Sequence, residues 1–274
     1  MTSPGCTRQD APAISVVIPV HNRAERLPSV LDSVFAQAAC PPYEVIVVDD
    51  AWTDATAAVV ERHPRPIHLV RLACNAGVAT ARQRGATVAR GAFLAFHDSD
   101  DFMLPGRLAA LADVMTRRPH LGAVYANGVI ERDGAPTGLT VVPPPLARRL
   151  DGRQFGVREI LRRQLPVYLQ AALIRRTVFD QVGGFDTPLV RHADLELTCR
   201  LVLAAPAIFV DQPVFRYQLH GDNQTRDLVR LREGLVAVMR RLRARRPDAI
   251  TECGRGWFRR REAKHLYRIP RLRR

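Results

Sequence analysis

The chain has 274 residues, 47% of them hydrophobic, which is enough to bury a core in one large α/β domain or two small ones and excludes a disordered protein. Its formal charge of +14 is unevenly spread: from residue 226 onward 17 Lys and Arg stand against 5 Asp and Glu, a local +12, so the first 225 residues are close to neutral. Five scattered cysteines without CxxC spacing exclude a disulfide framework and suit a reducing cytoplasm.

Residues 1–13 are polar and contain proline, so a flexible N-terminus is expected there, and they lack the positive-then-apolar order of a secretory signal. Residues 14–18 read as a buried strand, followed by Leu27, Val30, Leu31 and Val34 at helical spacing. A second strand over 44–48 runs into Asp49-Asp50, and a helix is predicted over 54–61. Further strands are expected at 67–72, 92–96 and 123–125, with helices at 78–89 and 107–117. Strand and helix alternating at this spacing predict a parallel sheet covered on both faces. Ligands bind such sheets beyond the carboxyl ends of the strands, so Asp49-Asp50 and the run His97-Asp98-Ser99-Asp100-Asp101 should share one rim.

The segment 140–149 contains Pro143-Pro144-Pro145 and reads as a loop or an excursion from the core. A helix is expected near 156–163, an apolar run at 168–174, a helix over 194–204, and strands at 207–210 and 214–219. The apolar stretch 201–210 is about half the roughly 20 residues that a bilayer crossing needs, and Pro206 interrupts it. Residues 228–246 form an arginine-rich helix with Leu231, Leu235, Val238, Met239 and Leu242 on one stripe.

Asp98, Asp100 and Asp101 concentrate three carboxylates in four residues. Gathering them costs free energy unless a cation or a set of donors offsets their repulsion. A hard divalent ion, Mn²⁺ or Mg²⁺, takes oxygen ligands and bridges carboxylates to substrate phosphates. The alternative is a solvated loop whose aspartates cap a helix, the role Asp101 would then have.

Together with their surroundings these residues resemble family 2 glycosyltransferases of the GT-A fold, over about residues 14–225. The resemblance is carried by Val16-Val17-Ile18-Pro19-Val20-His21-Asn22-Arg23, Val47-Val48-Asp49-Asp50-Ala51-Trp52-Thr53-Asp54 and Asn75-Ala76-Gly77-Val78-Ala79-Thr80-Ala81-Arg82. It continues in Phe96-His97-Asp98-Ser99-Asp100-Asp101, Val182-Gly183-Gly184-Phe185-Asp186 and Ala193-Asp194-Leu195-Glu196-Leu197-Thr198-Cys199-Arg200. It implies an α/β fold with a mostly parallel mixed sheet flanked by helices and a helical C-terminal extension. The nucleotide-binding half would span 14–130, the acceptor-binding half 131–225 and the basic extension 226–274.

The same resemblance implies an inverting transfer from a nucleoside-diphosphate sugar, UDP-sugar foremost, to a hydroxyl acceptor that is a glycan, a lipid-linked molecule or a small molecule. Pro19, His21, Asn22, Asp50, Asn75, Arg82, Asp98 and Ser99 would bind the nucleotide, and Asp100 with His220 the metal. Asp194 would be the general base that takes the acceptor proton. Trp52, Gly184, Phe185, Asp186 and Glu196 would lie on the sugar or acceptor side. His220 has an ordinary surface histidine as its alternative reading, and Asp194 a helix cap. The chain departs from the family pattern at Ala51 (glycine expected), Trp52 (serine), His97 (an apolar residue) and Ala193 (an acid).

The tail has three readings: a helix closing the fold, an anchor on anionic lipid through 257–274, or a contact for an acidic acceptor. The membrane reading would put the protein at the inner face of the cell membrane. A competing function is nucleic-acid binding through this tail on an α/β scaffold. The near-neutral first 225 residues and their acidic rim argue against it. A dinucleotide-dependent oxidoreductase would need a G-x-G-x-x-G turn after the first strand, where Pro19-Val20-His21-Asn22-Arg23 stands instead.

Overall fold

The structure, a computed structural model, describes residues 11–162, 165–219 and 227–272. The expected flexible N-terminus therefore falls outside the described residues as far as residue 10, and so does His220. In chain order the first half comprises β1 (Ile14–Val20), α1 (Leu27–Phe35), β2 (Tyr43–Asp49), α2 (Thr56–Glu61), β3 (His68–Arg71), α3 (Val78–Val88), β4 (Phe93–Phe96), β5 (Phe102–Met103) and α4 (Arg107–Arg117). There follow β6 (Ala123–Arg132), β7 (Ala135–Thr140), α5 (Pro144–Leu150), β8 (Gln154–Phe155), α6 (Val157–Leu161), a 3-10 turn (Leu169–Ala171), β9 (Ala172–Arg175), α7 (Arg176–Gln181), α8 (Ala193–Ala204) and β10 (Ala207–Leu219). The basic extension forms α9 (Leu228–Arg245), α10 (Pro247–Cys253) and α11 (Arg255–Leu272).

One ten-stranded sheet runs through both halves in the order β3-β2-β1-β4-β9-β6-β10-β5, with β7 added to β6 and β8 to β10. The strands β3, β2, β1 and β4 are mutually parallel, β9 opposes its neighbours β4 and β6, and β10 runs parallel to β6. All seven residues of β1 are buried, as a parallel strand covered on both faces requires. Its alternate side chains feed two cores: Val16 and Ile18 join the layer with Leu27, Leu31 and Leu108, while Val17 joins the layer with Ala81, Phe96 and Leu197. Each such aliphatic side chain contributes roughly 1.5–3 kcal/mol by leaving water. Helix α3 lies close against this sheet because Gly85 has no side chain. A Cβ there would stand 2.4 Å from Val17 Cγ1 and 2.9 Å from Val48 Cγ2.

Strand order reverses beside β1, which leads outward to β2 and β3 while β4 lies on its other side. A crevice opens at such a reversal, at the carboxyl ends of the strands. The loops after β1, β2 and β4 therefore meet there.

Two expectations need correction. The Pro-rich segment 140–149 is not a loop throughout: β7 reaches Thr140 and α5 begins at Pro144. Prolines in the first helical turn lack only N–H groups that would find no partner within the helix, and their fixed φ suits it. The two strands expected at 207–210 and 214–219 are one strand, β10, whose pairing with β6 shifts register on either side of Pro213. Proline donates nothing to a ladder, so the irregularity gathers there without ending the strand.

The apolar stripe of the arginine-rich helix packs inward. Val238, Met239 and Leu242 of α9, Cys253 of α10 and Phe258 of α11 belong to the same core layer as Phe96 and Leu197. Among the described residues, no helix is long and apolar enough to cross a membrane.

Candidate active site

The loop after β2 is built from hydrogen bonds to its own neighbourhood. Asp50, almost wholly buried, accepts from the backbone N–H of Ala76 at 2.7 Å and of Gly77 at 3.0 Å. Asp49 accepts from Trp52 N at 2.8 Å. His21, exposed at the end of β1, has its Nδ1 2.7 Å from the Asp50 carbonyl oxygen, which leaves Nε2 turned from that contact. Asn22 and Thr53 bond reciprocally, Asn22 Nδ2 to Thr53 Oγ1 and Thr53 N to Asn22 Oδ1, both at 2.8 Å. The half-buried Trp52 donates its indole N–H to Val20 O at 2.8 Å and packs on the core, so it closes the joint between β1 and β2. Pro19 lies buried in β1 and Asn75 is exposed in the turn whose N–H groups hold Asp50.

At the end of β4, one carboxylate oxygen each from Asp98, Asp100 and Asp101 lies within 4.8 Å of the others. Burial, followed by the charges of Asp98 and Asp100, pushes the Asp101 carboxyl well above the usual carboxylate range. Asp101 does not cap the next helix. It accepts from Gln170 Nε2 at 2.7 Å and from Gln218 N at 2.9 Å. With its oxygens so engaged, Asp98 and Asp100 are the pair best disposed to hold a cation, and an all-oxygen set of this kind fits a hard divalent ion. Asp98 is paired with Arg82, a buried guanidinium of α3 whose Nε has no partner among the described residues. Ser99 is half-buried between the aspartates.

Beneath this cluster lies a group that the sequence did not single out. Arg107, fully buried at the start of α4, donates to Phe96 O at 3.1 Å, to Ala172 O at 3.3 Å and to His97 Nδ1 at 3.1 Å. Burial, then the Arg107 charge, lowers the His97 pKa to about 3, so the imidazole is neutral and accepts. Burial also lowers Arg107 to about 9, while Asp98 acts in the other direction. The guanidinium stays charged at neutral pH and sets a fixed positive charge under the aspartates. Its signal was available: Arg107 stands four and eight residues before Leu111 and Met115, on the buried stripe of α4.

Asp194 is half-buried in the first turn of α8, where a negative charge suits the helix dipole, and its Oδ1 accepts from Leu195 N at 2.8 Å. The helix is capped by His192 in the left-handed region (φ 58°), not by Asp194. His192 Nε2 lies 2.9 Å from Leu231 O of α9. The other residues expected on the sugar or acceptor side have internal partners. Gly184 (φ 66°) follows Gly183 (φ 79°), and together they make a turn whose next N–H, that of Phe185, donates to Gln83 Oε1 at 2.8 Å. Phe185 is buried, edge-on to Phe96 at 5.1 Å. Asp186 is held by Arg241 at 2.5 Å and Arg245 at 3.1 Å. Glu196, 1% exposed, pairs with Arg200, which also donates to Val182 O at 2.6 Å and Gly184 O at 2.7 Å. These side chains are thus engaged within the protein. Arg82 and Gln83, adjacent on α3, reach Asp98 and Phe185 N respectively, so one helix ties the two sides together.

The glycosyl transferase family 2 model matches residues 15–183. The chain belongs to this family. It is 25% identical over 189 residues to an uncharacterized glycosyltransferase of Haemophilus influenzae, a match covering 69% of this chain and 62% of that one. Structurally it is similar to Staphylococcus aureus TarS 1-349 in complex with UDP-GlcNAc, with TM-score 0.68 and 21% identity over 82% of this chain and 65% of that one. It is also similar to the mannosyltransferase PcManGT of Pyrobaculum calidifontis in complex with GDP-Man and Mn²⁺, with TM-score 0.66 and 20% identity over 94% and 75%. The chain thus spans less than two thirds of the H. influenzae relative's length, and the structural likenesses establish the GT-A fold. The family match ends before α8, so Asp194 lies beyond it. One departure from the family pattern has a backbone cost: Ala51, where glycine is expected, has φ 60°.

Proposed function

We propose that the chain transfers a sugar from a nucleoside-diphosphate donor, UDP-sugar foremost, to a hydroxyl acceptor with inversion at the anomeric carbon. The observation that carries this reading is the Asp98, Asp100 and Asp101 cluster at the strand-order reversal, with the guanidinium of Arg82 bonded to it. The relatives' printed complexes with UDP-GlcNAc and with GDP-Man and Mn²⁺ support the same ligand class. Mn²⁺ or Mg²⁺ held by Asp98 and Asp100 would supply neutralisation of charge on the departing diphosphate. Arg82, with its buried Nε unpartnered among the described residues, is suited to a phosphate oxygen. His21, oriented through Nδ1, offers its other nitrogen to the base, and Asp50 fixes the turn beside it. Asp194 takes the proton of the acceptor hydroxyl as that oxygen attacks from the side opposite the leaving group.

The test is thermal stabilisation by UDP or GDP with Mn²⁺ and with chelator. Wild-type protein should be stabilised only in the presence of metal, and Asp100→Ala should lose that shift. No metal-dependent shift with either nucleotide would overturn the reading.

Peripheral attachment through 257–274 is a proposal for the tail alone. Arg259, Arg260 and Lys264 of α11 are exposed, and among the described residues none meets a carboxylate. Equal sedimentation with anionic vesicles, with and without those residues, would remove it.

A further inference from the structure

Asp101 does more than sit beside two possible metal ligands. Through Gln170 Nε2 at 2.7 Å and Gln218 N at 2.9 Å it ties the turn leading into β9 to the end of β10. Each tie has a tyrosine close by in the chain, Tyr168 two residues before Gln170 and Tyr217 one before Gln218. Their rings meet edge to face with centroids 5.4 Å apart, and Tyr168 also packs against Phe215 at 6.0 Å. The Tyr168 carbonyl accepts from Ala171 N at 3.0 Å, which fixes the backbone on which the phenol stands. The ring thus stands at the start of the 3-10 turn and packs on Phe215 and Tyr217 of β10.

Its hydroxyl has no hydrogen-bond partner among the described residues, and the side chain is only half-buried. Burial, then Tyr217, Asp194, Asp101 and Asp98, pushes the phenol above its ordinary range. It is therefore a neutral O–H donor at any working pH. Geometry locates it: Asp101 of the acidic cluster is bonded to Gln170, two residues on from Tyr168, and to Gln218, the neighbour of the Tyr217 against which the Tyr168 ring packs.

We propose that Tyr168 is a substrate-contacting residue whose hydroxyl donates a hydrogen bond to the sugar being transferred. The inference rests on the glycosyl-transfer reading. If the diphosphate lies at Asp98 and Asp100 and the acceptor oxygen at Asp194, the ring of the sugar lies between them. An O–H held beside the Asp101 end of the cluster, with no protein partner among the described residues, is suited to a sugar oxygen, and the two edge-on tyrosine rings offer the sugar an apolar wall.

The experiment is calorimetric titration, in Mn²⁺, of wild type and Tyr168→Phe with UDP, UDP-GlcNAc, UDP-glucose, GDP and GDP-mannose. Phenylalanine keeps the ring and its packing, and a thermal melt of each protein checks that the fold is unchanged. The nucleotide alone should bind both proteins equally. The sugar-bearing form that wild type prefers should bind Tyr168→Phe more weakly by roughly 2- to 10-fold, the range of one neutral hydrogen bond. Equal binding of that donor by both proteins overturns the assignment, as does an equal loss for nucleotide and nucleotide sugar, or a wild type that binds each nucleotide and its sugar form alike. A wild type that binds none of the five overturns the glycosyl-transfer reading itself.

Discussion

The two halves of the site are held by different means. Among the residues expected to bind the nucleotide, those at the ends of β1 and β2 are held mainly by backbone groups: Asp50 by Ala76 and Gly77, Asp49 by Trp52, His21 by the Asp50 carbonyl, with side-chain pairs added at Asn22–Thr53 and Arg82–Asp98. Around the residues expected on the acceptor side, positions are fixed by side chains reaching between elements. Arg200 holds the Val182 and Gly184 carbonyls, Arg241 and Arg245 hold Asp186, and Leu231 of α9 meets His192. A site built on strand ends follows from the sheet alone, whereas a site built on ion pairs depends on every element that supplies a charge.

The sharpest way to break this comparison is at Asp194. Asp194→Asn should lower transfer by about 10²- to 10⁴-fold with UDP affinity unchanged, which steady-state kinetics and calorimetry would separate. Retained transfer would remove Asp194 from the chemistry and leave it a helix-turn residue. Next comes the buried pair: Glu196→Gln leaves Arg200 without its counter-charge and should cost about 3–5 kcal/mol in urea unfolding. A loss below 1 kcal/mol would mean that the pair does not hold the 182–184 turn.

Gly234→Ala tests whether the extension positions the base. A Cβ at Gly234 would stand 2.7 Å from Arg191 Cβ and 2.9 Å from His192 Cδ2. The overlap should cost about 1–3 kcal/mol and lower kcat while leaving UDP binding intact. Unchanged kcat would mean that α9 is only a cover. The smallest effect is on the nucleotide side and of opposite sign. Ala51→Gly relieves a left-handed alanine and should stabilise the protein by about 1 kcal/mol in the same unfolding assay.

Those means of support also explain what could be read from the sequence. The parallel strands and the acidic rim were legible because β-branched runs ending in aspartates depend on local pattern and chain direction. Asp98, Asp100 and Arg82 come together at the end of β4. The continuous β10 was hidden because Pro213 resembles a break, and α5 was hidden because a proline run resembles a loop. Phe185, Asp186 and Glu196 were assigned to the acceptor side from motif alone, and their partners are Phe96, Arg241 and Arg200, two of them outside the motifs that drew attention to them. Gln170 and Tyr168 sit in what reads as an apolar run, and only the fold brings them to Asp101 and the rim.

The grip of Arg241 and Arg245 on Asp186 bears on where the chain can be cut. By motif, the catalytic unit ends near residue 225, yet the counter-ions of a carboxylate only 7% accessible lie past that point. Trimming the chain there would strand a buried anion and strip the cover from Phe96's side of the sheet. Homology and physical autonomy part company at that residue, so a fragment cut there should be less stable than one that keeps α9.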